Sequence, residues 1–334
     1  MVKFIFTVDY EIYGNGQGSI LDLVYKPAGK LKSIFDKWNA RFVTFVEVAE
    51  MEVIESIGTD DSIQLIHRQL QDFYMRGYEL GLHIHPWWYN ARHEDGRWLL
   101  DLSEYNLCTL RKERIINIVD RALNHLRILL GITDFMPISF RAGHLLFQPT
   151  RALAKILADR GIKIDSSVYK GGLWRKHDLD YRPAISNGYY WKFSDNVTVP
   201  DSRGRLLELP IHTQMVPVWK AFTSRRVALQ KRNSSSAQTG KKILSRLMDF
   251  LHFRYPLKLD LGQMTIEEVI RAVDRVIRED LKDPTSFRPI VAITHTKDPI
   301  DYENVDYLLS YMERNHIGIS TFSDIYRRIQ VLSE

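Results

Sequence analysis

Two carboxylates and two imidazoles in the sequence are spaced as metal ligands often are. Asp9 and Glu11 are separated by one residue, and so are His83 and His85. In an extended strand, side chains two positions apart point to the same face. A divalent cation would explain why two acids share one site, because it neutralises one and leaves the other to accept a proton from water. Solvated acids at a strand end and packed core histidines are the alternatives.

The sequence therefore predicts a hydrolytic metal centre with a general base. The expected ligands are Glu11, His83 and His85, since three protein ligands with an open position are typical of catalytic sites. Asp9 is the expected base.

Further polar residues follow other apolar runs. Arg141 and His144 follow the run at 138–140, and Arg141 could hold Asp9 ionised through a charge-assisted bond. His295 ends another run and could act as general acid if a carboxylate such as Asp165 orients it and raises its pKa. The alternative for Arg141 is an ordinary surface ion pair.

Aromatic residues beside these positions are candidates for substrate contact. Tyr10 lies between the two acids, and Trp87 and Trp88 follow the histidine pair. Indole rings could form a stacking wall for a sugar, although core packing fits the sequence equally well. The expected substrate-binding residues are Tyr10, Trp87, Trp88 and His144.

Short apolar runs alternate with amphipathic stretches, which is typical of parallel βα units. We predict strands at 3–7, 41–46, 79–85, 138–140, 290–294 and 318–321, and helices at 62–76, 111–130, 150–160, 265–281 and 304–315. Thr265 and Glu268 form a capping-box pattern, and Gly77 and Gly161 stand where helices should stop. Because the carboxyl ends of parallel strands meet at one edge of a barrel, the polar clusters are expected to converge there.

Composition sets the broad class of the protein. The chain has 334 residues, 45% of them hydrophobic and 26% charged, which predicts one globular catalytic domain over 1–334 with insertions near 178–210 and 222–262. There is no apolar run long enough to span a membrane and no signal-peptide pattern, and Cys108 is the single cysteine. We therefore expect a cytoplasmic protein.

Positive charge is concentrated in one segment. Residues 223–258 carry nine basic side chains and one acidic one, so this segment is +8 while the whole chain is +5. Such asymmetry can indicate an anionic partner, such as a phosphorylated or lipid-linked substrate or an acidic membrane surface, although a solvated basic insertion is the simpler alternative. No nucleic-acid-binding module is recognisable, and no specific nucleic-acid partner is expected.

Taken in order, the polar clusters resemble the motif series of the NodB-homology polysaccharide deacetylases, the fourth carbohydrate esterase family. The resemblance runs from Thr7 to about Ile329. It implies an α/β fold, an irregular (β/α) barrel of about seven strands, here with a basic helical or loop insertion. It also implies metal-dependent hydrolysis of N- or O-acyl groups on sugars.

The resemblance also assigns roles by motif. Those roles are base for Asp9, acidic metal ligand for Glu11, first metal histidine for His83, base-orienting arginine for Arg141, fourth-motif acid for Asp165 and catalytic acid for His295. The chain departs from the usual pattern in three places. Trp87 stands where the second metal histidine is usual, so His85 would serve instead, as in a divergent His-x-His-Pro-Trp branch; Glu11 replaces an aspartate; and Gly143-His144 replaces a proline-containing turn. His144 is thereby available as a substrate contact or a substitute ligand.

The activity implied is removal of an acetyl-type N-acyl group from a sugar or glycan precursor by attack of metal-bound water. One divalent ion, expected to be zinc, is the implied cofactor, and the oligomeric state is not indicated. Two alternatives remain: a metal-dependent amidase acting on a non-sugar C–N bond, and a catalytically silent carbohydrate-binding homologue. Asp9 and His295 argue against the silent homologue, because a pure binder needs neither a base nor an acid.

Overall fold

The structure is a computed structural model that describes residues 1–217 and 254–333. The strands are β1 Val2–Tyr10, β2 Val43–Glu47, β3 Glu79–Ile84, β4 Arg92–Glu94, β5 Arg97–Leu99, β6 Ser139–Ala142, β7 Ile164–Asp165, β8 Leu173–Trp174, β9 Leu179–Asp180, β10 Trp191–Phe193, β11 Leu206–Glu208, β12 Thr213–Pro217, β13 Arg254–Lys258, β14 Arg288–His295 and β15 Gly318–Ile319. The helices are α1 Lys26–Lys37, α2 Val48–Ile57, α3 Ile63–Met75, α4 Lys112–Leu130, α5 Arg151–Asp159, α6 Ile266–Lys282, α7 Tyr302–Arg314 and α8 Phe322–Ser333.

One curled sheet of nine strands organises the chain. Its order is β10-β11-β7-β6-β3-β2-β1-β14, with β15 also beside β1, and every pairing except β10–β11 is parallel. Just beyond β11, Ile211 forms a parallel bridge to Val291 of β14, which brings the two sides of the sheet together. The fold is therefore the expected irregular (β/α) barrel, with the carboxyl ends of its parallel strands at one edge.

Side chains on each strand alternate between the inside of the curled sheet and the helix layer. On β1, Ile5 belongs to an apolar cluster with Val43 and Phe45 of β2, whereas Phe4, Phe6, Val8 and Tyr10 pack in the larger cluster that includes the helices. The odd-numbered positions of β1 therefore face inward. This alternation decides which of the polar residues at the strand ends can meet.

The predicted elements are confirmed with boundary shifts of a few residues. Each of the six predicted strands and five predicted helices overlaps an observed one. Helices α1, α2 and α8 had no sequence prediction, and in α2 six of the ten residues are buried, which weakens its helical hydrophobic periodicity. Gly77 and Gly161 take φ values of +78° and +89° just after helices α3 and α5, as expected of stop residues.

The segment 178–210, expected to decorate the barrel as an insertion, instead contributes to the main sheet. Strand β11 pairs in parallel with β7, and β10 extends the sheet beyond it. The strands in this segment are short and lie among turn residues, so the sequence pattern did not predict that they join the main sheet. Most of the basic segment 223–258, and most of the expected insertion at 222–262, lies outside the described residues; Arg254–Lys258 forms β13, paired with β12.

No helix within the described ranges combines the length and the apolar character that a membrane span requires.

Helix α6 begins with the capping box expected from the sequence. The Thr265 hydroxyl accepts from the Glu268 amide and the Glu268 carboxylate accepts from the Thr265 amide. We expect Thr265→Ala to lower the free energy of unfolding by about 1 kcal/mol, because the Glu268 amide loses the hydroxyl acceptor that caps the helix start. Urea denaturation measures this, with the exposed Ser202→Ala as control. Equal stability of the two variants would show that the cap contributes nothing.

Candidate active site

The inward-facing residues at the carboxyl ends of neighbouring strands form one polar cluster. Strand β1 contributes Asp9 and leads to Glu11, β2 ends in Glu47, β3 contributes His83 and leads to His85, and β14 ends in His295. All except His295 are buried, with 4% or less of each residue exposed. The cluster lies where barrel enzymes assemble their active sites.

Four of these side chains form a possible metal-binding group. Glu11, Glu47, His83 and His85 each present one ligand atom, and these atoms all lie within 4.8 Å of one another. Glu11 Oε2 lies 3.1 Å from His85 Nε2 and 3.7 Å from His83 Nε2. The carbonyl of Arg141 lies 2.8 Å from His83 Nδ1, so a proton held there leaves Nε2 free as a ligand.

The electrostatics of this group suit a divalent cation. Burial raises the pKa of Glu11, but Lys297 and the two histidines outweigh it and hold that pKa well below its usual range. Burial lowers the pKa of His85 to about 4, so its imidazole is neutral, as a ligand must be. His85 Nδ1 is buried and has no hydrogen-bond partner among the described residues. Mixed imidazole and carboxylate donors are typical of first-row transition metals, and the residues present fit such an ion.

Lys297 is a second cation at this cluster. Its ammonium group donates to Glu11 Oε1 at 2.7 Å, and its side chain is 17% exposed. It occupies one oxygen of Glu11 and leaves the other toward the histidines. Lys297 therefore helps to keep the buried Glu11 ionised.

Asp9 is held by a buried arginine. Arg141 Nη1 donates to Asp9 Oδ1 at 2.5 Å, and Arg141 is completely buried. Burial raises the pKa of Asp9, but the opposing effects of Arg141, His83 and His295 are larger together. The pKa of Asp9 therefore lies below its usual range. The second oxygen of Asp9, Oδ2, remains directed at His295 Nε2 at 3.5 Å. Asp9 is thus an ionised carboxylate with one oxygen available as a proton acceptor.

His295 lies between two carboxylates. Its Nε2 faces Asp9, and its Nδ1 lies 3.1 Å from Asp298 Oδ2. Burial lowers the pKa of His295, but Asp298 and Asp9 raise it more, to about 9. His295 is therefore protonated at neutral pH and 19% exposed, and it can donate a proton to a bound molecule.

We expect Asp298→Asn to shift the basic limb of the pH profile of kcat/KM downward by at least about one unit, toward the ordinary imidazole pKa near 6.5. With His295 as proton donor, we expect activity below the pKa of His295 and its loss as the pH rises through about 9. Without the Asp298 carboxylate the imidazolium is less stable, and that loss begins at lower pH. The exposed Asp95→Asn in the β4–β5 hairpin is the control, and an unmoved limb in Asp298→Asn would rule out this coupling.

Asp165 does not orient His295, which corrects the expectation from the sequence. Ile164 and Leu207 point into the apolar cluster inside the sheet, so the next residue on each strand, Asp165 and Glu208, points the opposite way. Burial raises the pKa of Asp165 to about 6, and burial with Asp165 raises that of Glu208 well above its usual range. The inward position goes to Ser166, whose hydroxyl and carbonyl both accept hydrogen bonds from Arg141.

The aromatic residues expected to bind substrate are mostly buried. Tyr10 is on the helix-facing side of β1, where its hydroxyl donates to Gln69 at 2.7 Å. Trp87 and Trp88 are each 1% exposed. The ring centroids of Trp87 and His85 are 4.4 Å apart, and Trp88 packs edge-on against Trp98. The expected substrate contacts of Tyr10, Trp87 and Trp88 have no support in this geometry, because none presents an open ring face.

His144 is partly exposed beside the histidine pair. Its backbone takes a φ of +52°, and its ring lies 4.6 Å from that of His85. It stacks with Trp87 and with Tyr105, and these two rings also stack on each other. Burial, with His85 nearby, lowers the pKa of His144 well below its usual value, so the ring is neutral. His144 belongs to neither group of metal-ligating side chains found in the described residues.

Sequence reasoning did not single out three residues of this cluster. Glu47 ends a buried strand in the same way as Asp9 and His83, and extending the predicted strand by one residue would have included it. Lys297 and Asp298 directly follow His295, at a strand end where polar residues were already expected. Which of these contacts which partner depends on strand order, which the sequence pattern does not give.

No protein-family profile and no curated protein sequence matches this chain. Solved structures do resemble it across nearly its whole length. A protein from Mycobacterium smegmatis assigned as a polysaccharide deacetylase has a TM-score of 0.56 at 15% identity, covering 99% of this chain and 91% of that one. One from Pseudomonas aeruginosa PAO1, with the same assignment, has a TM-score of 0.51 at 12% identity, covering 98% and 90%.

A glycoside-active enzyme also shares the fold. The GH57-type branching enzyme from Pyrococcus horikoshii has a TM-score of 0.55 at 10% identity, covering 98% of this chain and 70% of that one. The architecture alone therefore does not choose between acyl and glycosyl chemistry. What the comparisons establish is that this chain has the NodB-like (β/α) barrel fold of the polysaccharide deacetylases.

Proposed function

We propose that this protein is a metal-dependent hydrolase that removes an acetyl-type N-acyl group from a sugar or glycan precursor. The observation that carries the proposal is a matched acid and base beside a cluster of metal-ligating atoms. Asp9 is held ionised by Arg141 and His295 is held protonated by Asp298, with 3.5 Å between Asp9 Oδ2 and His295 Nε2. A titratable pair whose environments push the pKa values apart is a general sign of acid–base catalysis.

Each side chain has a role in hydrolysis. A divalent cation held by Glu11, His83 and His85 would supply Lewis-acid chemistry, favouring ionisation of water and stabilising negative charge on a carbonyl oxygen. Asp9 Oδ2 accepts the proton of the attacking water, while Arg141 keeps the carboxylate ionised and in place. His295 donates its proton to the departing amine nitrogen. Asp298 orients the imidazole and stabilises its protonated form, and the proton held by Asp9 can return to His295 Nε2.

Two observations favour a sugar substrate. The two deacetylase assignments among structures of the same fold favour an acylated glycan. Tyr105 and Trp174 are partly exposed, and their rings lie 4.6 Å and 6.3 Å from that of His144, beside the candidate site. Aromatic rings of this kind combine an apolar body with a polar edge, which suits sugar binding.

The proposal is tested by measuring released acetate and formate from a panel of N-acylated amino sugars and non-sugar amides. We expect release from at least one N-acyl sugar and none after chelation of the metal. Release from the non-sugar amides alone would favour the amidase alternative. Stable sugar binding with no release from any compound would favour the silent homologue.

Several wider expectations accompany this proposal. We propose that residues 1–334 form a single catalytic domain and that it acts in the cytoplasm. The basic segment 223–258 would favour an anionic or lipid-linked substrate, or contact with an acidic membrane. Such binding should weaken as salt is raised, because interactions between exposed charges are screened.

A further inference from the structure

Glu47 is a carboxylate at the candidate metal site that the three-ligand scheme does not use. It ends β2, the strand between β1 and β3, and its Cα is in register with that of His83 on the neighbouring strand. Residues in register on adjacent parallel strands direct their side chains to the same face. Glu47 therefore points to the same place as His83, and its ligand atom lies within 4.8 Å of those of Glu11 and both histidines.

The hydrogen bonds of Glu47 fix its carboxylate without neutralising it. One oxygen accepts from the amide of Glu50 at the start of helix α2, at 3.3 Å. The other accepts from the amide of His85 at 2.7 Å. Both donors are uncharged backbone groups, and each carboxylate oxygen keeps a lone pair for another partner.

The buried carboxylates at this site outnumber the basic side chains that contact them. Glu11, Glu47 and Glu50 are 4%, 0% and 1% exposed, and Lys297 is salt-bridged to Glu11. Within residues 1–217 and 254–333, neither Glu47 nor Glu50 has a salt bridge to a basic side chain, and Glu50 spends an oxygen on the amide of Ile12. Buried carboxylates are normally paired with cations or coordinate metals. Burial and the neighbouring carboxylates raise the pKa of Glu47 and of Glu50 well above the usual range, and a divalent ion beside Glu47 would stabilise its ionised form.

We propose that Glu47 is a fourth protein ligand of the cation, so that two carboxylates and two imidazoles from three adjacent strands hold it. This inference rests on the proposed function and deepens it. Four protein ligands would fill a tetrahedral zinc site, whereas catalysis requires an open position. The site therefore favours an ion that accepts five or six ligands, namely Fe²⁺, Co²⁺ or Mn²⁺, over the zinc expected from the sequence.

The test is a titration of the metal-free full-length protein with Co²⁺. Calorimetry measures the affinity, and visible absorption records the spectrum of the bound ion. Glu47→Gln keeps the shape and one of the two acceptor oxygens but removes the charge. Glu50→Gln is the matched control, because Glu50 is equally buried and lies outside the group of ligand atoms. We expect Kd to rise at least about 100-fold in Glu47→Gln, above the roughly 10- to 100-fold typical of residues that only support a ligand. In Glu50→Gln we expect a rise of no more than about 10-fold, because the Glu50 carboxylate accepts from the amide of Ile12 and not from a ligand side chain.

The cobalt spectrum gives an independent readout. We expect the weak bands of five- or six-coordinate Co²⁺ in the native protein and a changed spectrum in Glu47→Gln. Equal affinity and equal spectra in the two glutamine variants would overturn the role of Glu47 and leave the proposed function standing. A native protein that binds no Co²⁺, Mn²⁺ or Zn²⁺ would overturn both.

A folding defect in Glu47→Gln would be seen by circular dichroism. In that case Glu47→Asp, which keeps the charge and the helix cap but shortens the side chain, takes its place. A ligand role predicts weaker Co²⁺ binding and an altered spectrum in this variant. A folded Glu47→Asp protein with native affinity and spectrum would count against the proposal.

Discussion

Asp9→Asn should retain its metal ion while kcat falls at least about 100-fold, because positioned proton transfer typically contributes that much. The asparagine keeps the size of the side chain and one oxygen toward Arg141. It removes the negative charge that lets Oδ2 accept a proton. The loss should appear in kcat and kcat/KM alike, since the interaction is made in the transition state.

The matched measurement for Asp9→Asn is its metal content. Asp9 is not among the four side chains grouped around His83 and His85, so a stoichiometric metal content should persist. An Asp9→Asn enzyme with near-native kcat would refute the base role. A variant that lost metal and activity together would point to Asp9 as a ligand, through its contact group with Glu11 and His295.

Replacement of both histidines should lower the amount of bound metal far more than Asp9→Asn does. We expect His83→Ala with His85→Ala to reduce bound divalent ion to background and activity to that of the chelated native protein. Both nitrogen donors are then lost, and the remaining carboxylates lack the imidazoles that transition metals prefer. Metal analysis of the purified proteins, with an acetate-release assay beside it, measures both effects.

His67→Ala provides the control for the double variant. His67 lies on helix α3 and pairs with Glu55 of helix α2, away from the barrel interior. The His67→Ala substitution should leave metal content and activity unchanged. If the double variant bound as much divalent ion as the native protein, the two imidazoles would not be ligands and the site would have to be sought elsewhere.

Much of the barrel could be predicted because its strands and helix ends depend on patterns among residues close together in the sequence. Period-two spacing placed Asp9 with Glu11 and His83 with His85, and in the structure each pair faces inward. The capping box at Thr265 and the helix-stop glycines likewise depend on neighbouring residues in sequence. Signals of this kind need no knowledge of strand order.

Contacts between distant elements could not be predicted in the same way. Asp165 follows an apolar run just as His295 does, but it falls on the other face of its strand and meets Glu208 of β11. Trp87 and Trp88 follow the histidines in sequence, yet a tight turn folds them back into the core. Strand register and the direction of the loop after β3 determine where these three side chains lie. Neither can be predicted from the spacing of residues in the sequence.

The hydrolytic metal centre is tested most directly by an anomalous difference map from crystals of the protein grown with Mn²⁺. We expect one strong peak about 2.0–2.3 Å from an imidazole nitrogen of His83, an imidazole nitrogen of His85 and a carboxylate oxygen of Glu11. Asp9 should lie beside that peak with its carboxylate still bonded to Arg141. A peak elsewhere, or no peak while Lys297 stays on Glu11 and the histidines turn away, would contradict the assignment of a hydrolytic metal centre.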